Sequence, residues 1–190
     1  MSKVTLNPII DRLSGSFGKI VFRQRGGVIT MAHRPNVSGV VRTAAQLAQQ
    51  ERFRQAALYG HAALADPQMR LPYAQAAERT GKPVFALVGG EYLVAPVIDA
   101  LDLSSYTGKI GDKLIIHAHD DFEVTTVQVS LLDGSGTELE KGPAVEEPTG
   151  SGRWFYVTKA AVTPGTHVQV SVSASDRPGN HANQLSQKIV

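Results

Sequence analysis

The sequence predicts an α+β chain in two modules, a β-hairpin plus short helices over residues 1–95 and an all-β sandwich over residues 96–190. Three observations carry that expectation. Apolar residues keep a helical spacing through much of the first half and alternate with period two from Pro96 onward. The charge changes sign at the same place. Residues 1–95 hold 12 Lys+Arg against 5 Asp+Glu and residues 96–190 hold 7 against 12, so the formal net charge of +2 conceals halves of +7 and −5. Finally, 190 residues fit one large domain or two small ones, and the charge break favours two of about 95 each.

The first element is a hairpin over residues 19–33, KIVFRQRGGVITMAH. Gly26-Gly27 supplies the two positive-φ positions of a type I′ turn between runs of β-formers. Pairing about that turn sets Arg25 opposite Val28 and Arg23 opposite Thr30, while Ile20, Phe22, Ile29 and Met31 share the other face. A lone two-stranded ribbon is marginal in water, so this one is expected to lie on helices or on another subunit. Arg34 and Arg42 continue the basic character into the following link. Arg23, Arg25, Phe22, Met31, Arg34 and Arg42 are therefore the candidate interaction residues.

Helices are expected next. Thr43 with Gln46 fits a capping box, and the Ala-, Gln- and Leu-rich run behind it is strongly helix-forming. Phe53, Ala57, Gly60 and Leu64 fall on one face of that helix. Asp66-Pro67, an N-cap followed by a first-turn proline, stops it, Pro72 is expected to begin a short second helix, and Gly81 suits that helix's C′ position. After Pro83, Phe85, Val88 and Tyr92 keep a helical spacing, while Gly89-Gly90 leaves a strand open as the alternative.

Beyond Pro96 the alternating runs are 114–119, 124–132, 153–158, 167–175 and 184–190, separated by Gly-, Pro- and Asp-rich turns. About seven short strands at this spacing describe an antiparallel sandwich, with Trp154 as the core plug between its sheets.

Two stretches resemble known families. SGSFGKIVFRQRGGVITMAHRP followed by TAAQLAQQERFRQAALYGHAALADPQMRLPYAQAA is similar to a poorly characterised family of small bacterial and prophage-borne proteins. The family pattern is S-G-K-x-G-x-x-V-F-x-Q-R-x-G-K followed by T-x-A-Q-L-A-Q-R-x-R-F. The likeness covers roughly residues 7–95 and is most specific at FRQRGG and AQLAQQERF; it departs at Ser16, Phe17 and Val28. It implies a shared hairpin-plus-helices module and no activity. In the second half, AHDDFEVTTVQVSL and SASDRPGNHA resemble bacterial immunoglobulin-like modules of surface, adhesin and phage structural proteins, departing at Glu123 and Pro178. That resemblance implies an immunoglobulin-like form for the all-β sandwich.

Several classes of chemistry are disfavoured. With no cysteine there is no disulfide, thiolate nucleophile or Cys-based metal site. Ser14-Gly15-Ser16 and Ser151-Gly152 lack a nucleophile-elbow context, GKIGDK and GGEY do not make a phosphate loop, and the expectation is that the chain is not an enzyme. His117 and His119 share a strand face but have no third ligand placed by spacing, so they are expected to face solvent around a Leu114, Ile116, Ala118 core. Asp120, Asp121 and Asp176 sit in two loops that a sandwich brings to one end, near Asn180, where hard oxygen ligands could take calcium. The same carboxylates could instead cap loop N–H groups. No other cofactor is expected.

The expected role is that of a non-enzymatic structural or interaction protein, an assembly or decoration component of a phage, prophage or phage-tail-like particle. Its partners would be itself, as a homo-oligomer, or other particle subunits. The alternative is a nucleic-acid-associated protein gripping phosphates through the basic half. The opening MSKVTLNPIIDRL lacks the apolar core and cleavage site of a secretory signal, and no apolar run approaches a membrane span. Synthesis in the cytoplasm, with residence in a virion or phage-like particle, is therefore the expected localisation.

Overall fold

A hairpin organises the beginning of the chain; a computed structural model describes residues 2–4, 13–25, 27–36, 39 and 41–190. Four strands, β1 (Ser2–Val4), β2 (Gly15–Phe17), β3 (Ile20–Arg25) and β4 (Val28–His33), form an antiparallel sheet in the order β1-β4-β3-β2. The central pair has the expected register, with Arg25 opposite Val28, Arg23 opposite Thr30 and Phe22 opposite Met31. Gly27 takes a φ of +77°, which a side chain would resist; Gly26, the other half of the expected turn, lies outside the described residues. The hairpin is thus widened by two three-residue edge strands. Ile29 is the one buried hydrophobic among this sheet's described side chains, while Ile20, Phe22 and Met31 are half-buried.

Three helices follow: α1 (Ala44–Ala65), α2 (Pro67–Thr80) and α3 (Val84–Leu93). α1 begins directly after Thr43, as the expected capping box requires, but at 22 residues it is not short. Its buried stripe is Ala56, Gly60 and Ala63 rather than the expected Phe53, Ala57, Gly60 and Leu64, and Phe53 remains 55% exposed. The shift has a steric reason. α3 lies so close that a Cβ on Gly60 would come within 2.9 Å of the Phe85 ring, so the contact selects small residues over large ones.

The second helix corrects another expectation: it starts at Pro67, and Pro72 lies inside it. Asp66 is the N-cap, its side chain accepting from the Gln68 N–H at 2.8 Å, and this cap fixes the start one turn before Pro72. Pro72 removes an N–H that would otherwise reach back toward Gln68, an exposed residue. Gly81 closes the helix in the left-handed conformation, its N–H donating to the Ala77 carbonyl. The segment after Pro83 is a helix, its glycine pair included.

Eight strands make the rest: β5 (Val97–Asp102), β6 (Lys113–His119), β7 (Thr126–Leu132), β8 (Glu138–Pro143), β9 (Val145–Glu146), β10 (Arg153–Val157), β11 (His167–Ser175) and β12 (His181–Ile189). They form two antiparallel four-stranded sheets, in the orders β5-β6-β10-β9 and β12-β11-β7-β8. The chain is therefore mostly β, with three antiparallel sheets and three helices among the described residues. Alternate side chains of β6, β7, β10 and β11 point into one core: Leu114, Ile116 and Ala118, then Val127, Val129 and Leu131, then Trp154 and Tyr156, then Val168, Val170, Val172 and Ala174. Each fully buried Val or Leu here contributes roughly 1.5–3 kcal/mol relative to exposure, so period-two alternation over four strands fixes which face is inside. Gly152 permits a tight crossing, since a Cβ there would meet the Ala118 carbonyl oxygen at 2.8 Å.

Two compact units emerge, Met1–Ala44 and Ala45–Val190. The sequence break at 95/96 falls inside the second unit, at the passage from α3 to β5. No helix among the described residues is long and apolar enough to cross a membrane.

Trp154 is 7% exposed within the sandwich core. Trp154→Ala should lower the unfolding free energy by about 3–5 kcal/mol, the range for emptying a large aromatic core site. Urea denaturation followed by far-UV circular dichroism measures it, and a loss below ~1 kcal/mol would show that Trp154 is no core plug.

Candidate functional site

The interaction residues of the first unit separate by face. Arg23 and Arg25 are exposed on one face of β3, with Thr30 opposite Arg23 and its hydroxyl donating to the Arg23 carbonyl at 3.3 Å. Phe22 and Met31 face each other on the opposite side and are half-buried. Arg34 is exposed just past β4, where its N–H donates to the Lys19 carbonyl, and Arg42 is exposed in the link before α1. The sheet thus joins the first two arginines on one surface and leaves the other two outside it.

In the second unit, the turn between β11 and β12 meets the C-terminal end of α3. Asp176, 4% exposed, accepts from the Gly179 N–H at 2.8 Å and from the Asn180 amide at 2.7 Å. The same Asn180 amide nitrogen lies 3.2–3.3 Å from the Glu91, Tyr92 and Val94 carbonyls. Those carbonyls end α3 and have lost or are losing their intrahelical donors, so one side chain ties a helix terminus to a sandwich loop. From the loop after β6, Phe122 enters the helical cluster of Ala63, Tyr73 and Val88, its ring 4.7 Å from that of Tyr73. Arg177 lies over both rings, 5.6 Å from Tyr73 and 5.7 Å from Phe122, and pairs with Glu123.

Glu91 sits beneath this junction and is only 1% exposed, with neither carboxyl oxygen hydrogen-bonded. Burial pushes its carboxyl up to about 7, opposed by the Tyr73 hydroxyl and by Arg177 and reinforced by Asp176 and Asp120. Burial also raises the Tyr73 hydroxyl, with Glu91 and Tyr59 acting in the same direction. In sequence, only the helical spacing after Pro83, which sets position 91 three residues past Val88 on the inner face of α3, signals its burial.

The acidic residues expected to hold calcium divide. Asp120 and Asp176 both face the Glu91 region, whereas Asp121 is exposed. Asp176 is committed to its turn, and one Asp120 oxygen accepts from the N–H groups of Phe122 at 3.1 Å and Glu123 at 3.3 Å. Among the described residues no group of three or more His, Asp or Glu is arranged to hold a metal ion. The Asp120 and Asp176 carboxylates serve the loop backbone, and Asn180 serves the helix. This use recurs through the acidic half. Asp102, Asp112, Asp133, Glu140 and Glu146 each accept one or more loop N–H bonds, among them Gly150 and Gly152 to Glu146, both at 2.8 Å. These bonds hold the carboxyls of Asp102 and Asp112 below their ordinary range, and the Ser135 hydroxyl, followed by the loop N–H groups, does the same for Asp133. His117 and His119 are exposed around the buried Leu114, Ile116 and Ala118, and His119 Nδ1 lies 2.6 Å from the Asp99 carboxylate.

No family model matches this chain, and no curated protein matches it. A solved structure described as "Crystal structure of Br derivative BhCBM56" is similar at a TM-score of 0.31 and 19% identity, over 44% of this chain and 85% of that one. At that score the likeness distinguishes neither ligand nor role.

Asn180→Ala should cost about 1–3 kcal/mol, because it strips partners from Asp176 and from the end of α3 together. Asp121→Asn, at an exposed position, should change stability by less than ~0.5 kcal/mol. Equal effects in paired chemical melts would contradict the assignment of the junction to the first residue.

Proposed function

We propose that this chain is a non-enzymatic structural protein that works by assembly, with the four-stranded sheet of the first unit as its docking module and the β-sandwich as a displayed module. The observation that carries the reading is the composition of that first sheet. Among its described side chains Ile29 alone is fully buried, while Phe17 is 81% exposed and Phe22 and Met31 are half-buried. A sheet with so little interior of its own gains stability by laying its apolar face on another surface. Its short edge strands restrain open-ended strand addition, favouring a defined contact.

The sandwich is proposed to be immunoglobulin-like. Counting β5 as the first of eight strands, the two sheets run first-second-sixth-fifth and eighth-seventh-third-fourth. That order corresponds to an ABED sheet against a CFG sheet with one added strand. The assignment to a phage, prophage or phage-tail-like particle rests on the resemblance of residues 7–95, carried by FRQRGG and AQLAQQERF. Arg23 and Arg25 are proposed to orient the assembly contact; gripping phosphates with them is the competing use.

Sedimentation velocity of the full chain tests the reading. The wild type should self-associate, Phe22→Asp should shift it toward monomer, and Arg23→Ala with Arg25→Ala should weaken association at 0.1 M salt more than at 1 M, where the Debye length falls from ~10 to ~3 Å. A wild type that stays monomeric at about 100 μM would overturn assembly through self-contact. Duplex DNA binding tighter than about 1 μM at physiological salt, lost in the double arginine variant, would establish the nucleic-acid role instead.

A further inference from the structure

We infer that Glu91 is a proton-operated lock between the helices and the sandwich: protonated, it lets α3 seat on the Asp176–Asn180 turn, and ionised, it drives α3 off that turn. The reading begins with an imbalance. Glu91 is 1% exposed, and neither of its oxygens has a close hydrogen-bond partner, the Tyr73 hydroxyl giving it only partial relief. A buried carboxylate in that state is costly, whereas the neutral acid is tolerated. Burying the ionised form without a partner is the kind of strain that a fold relieves by opening.

The surroundings decide which form is stored. From α1 comes the Tyr59 hydroxyl and from α2 the Tyr73 hydroxyl, the two 3.5 Å apart. Asp120, whose second oxygen is also buried and unpartnered, approaches from the loop after β6, and Asp176 approaches from the turn after β11. Two carboxylates and two phenols therefore face Glu91. The cation on that side is Arg177, and its guanidinium is engaged by Glu123 and by the Tyr73 and Phe122 rings. Burial and the two carboxylates outweigh the Tyr73 hydroxyl and Arg177, which favour the ionised form, so the proton is retained in the closed form.

The direction follows from the shift. An ordinary Glu loses its proton near 4.5, and burial moves this one to about 7. The open form thus gives up its proton at lower pH than the closed form. Closure is fully supported below about 4.5, weakens as pH rises, and has lost this support once pH passes about 7. On ionisation the proton passes to solvent water, and opening lets water solvate the carboxylate. What opens is set by the contacts at the junction: the Asn180 bonds to the Glu91, Tyr92 and Val94 carbonyls and the Tyr73–Phe122 ring contact. The sandwich core is separate from this cluster and remains closed.

Amide hydrogen exchange of the full-length chain at pH 5.5 and 8.5, corrected for the intrinsic pH dependence of exchange, tests the lock. In the wild type, protection of α3 amides should fall about tenfold or more relative to β11 amides between the two values. In Glu91→Gln, which keeps the shape and cannot ionise, α3 should keep its protection at both. Unchanged wild-type protection in α3, or an equal loss in Glu91→Gln, would overturn the inference, as would an equal loss in α3 and β11, which marks global opening. A carboxyl-carbon NMR titration of the wild type serves independently of any variant: a Glu91 midpoint near 7 supports the lock, and one near 4.5 overturns it.

Discussion

The helices stay with the sandwich because one short turn serves two masters. Asp176 shapes the turn through the Gly179 N–H and the Asn180 amide, and Asn180, held in that way, reaches the last carbonyls of α3. Without that bridge, the Glu91, Tyr92 and Val94 carbonyls would lose the Asn180 donor that reaches them. Phe122, packed against the helical cluster with its ring beside Tyr73, adds the apolar part of the same attachment. The second unit therefore begins at Ala45 rather than at the proline-marked passage into β5.

The same chemistry gives a physical account of the acidic half. Negative charge accumulates beyond Pro96 because a sandwich of short strands has many turns, and turns leave N–H groups that carboxylates satisfy. Asp112 accepts from Thr107 and Lys109, Asp133 from Ser135 and Thr137, and Glu146 from Gly150 and Gly152. Much of that charge is architectural. The positive half has a different basis: Arg23 and Arg25 are exposed on a sheet face, while Arg52 donates to the Leu93 carbonyl at 2.9 Å and braces α1 against the end of α3.

What could be read in advance follows the range of the interaction. The hairpin register was legible because Gly26-Gly27 and period-two alternation are local signals, and β6, β7, β10 and β11 were legible for the same reason. β1 and β2 escaped because three residues carry no periodicity, and β1 pairs with β4 some 27 positions away in register. The buried stripe of α1 was misplaced because Gly60 answers to Phe85, a contact between helices far apart in sequence. Pro72 misled because the cap at Asp66 outranked it. At the junction, Asp120, Asp176 and Asn180 could be gathered from loop topology, but Glu91 could not, since a buried carboxyl contradicts the ordinary rule that acids face water.

The central claim is that helices and sandwich form one cooperative unit while the junction is closed. The chain's single tryptophan, Trp154, reports the sandwich core, and ellipticity at 222 nm reports chiefly the helices. Urea unfolding at pH 5.5, followed by both signals on one sample, puts the claim to its most direct test. The account predicts coincident transitions with one midpoint. A helical signal lost at clearly lower urea than the tryptophan signal would contradict it.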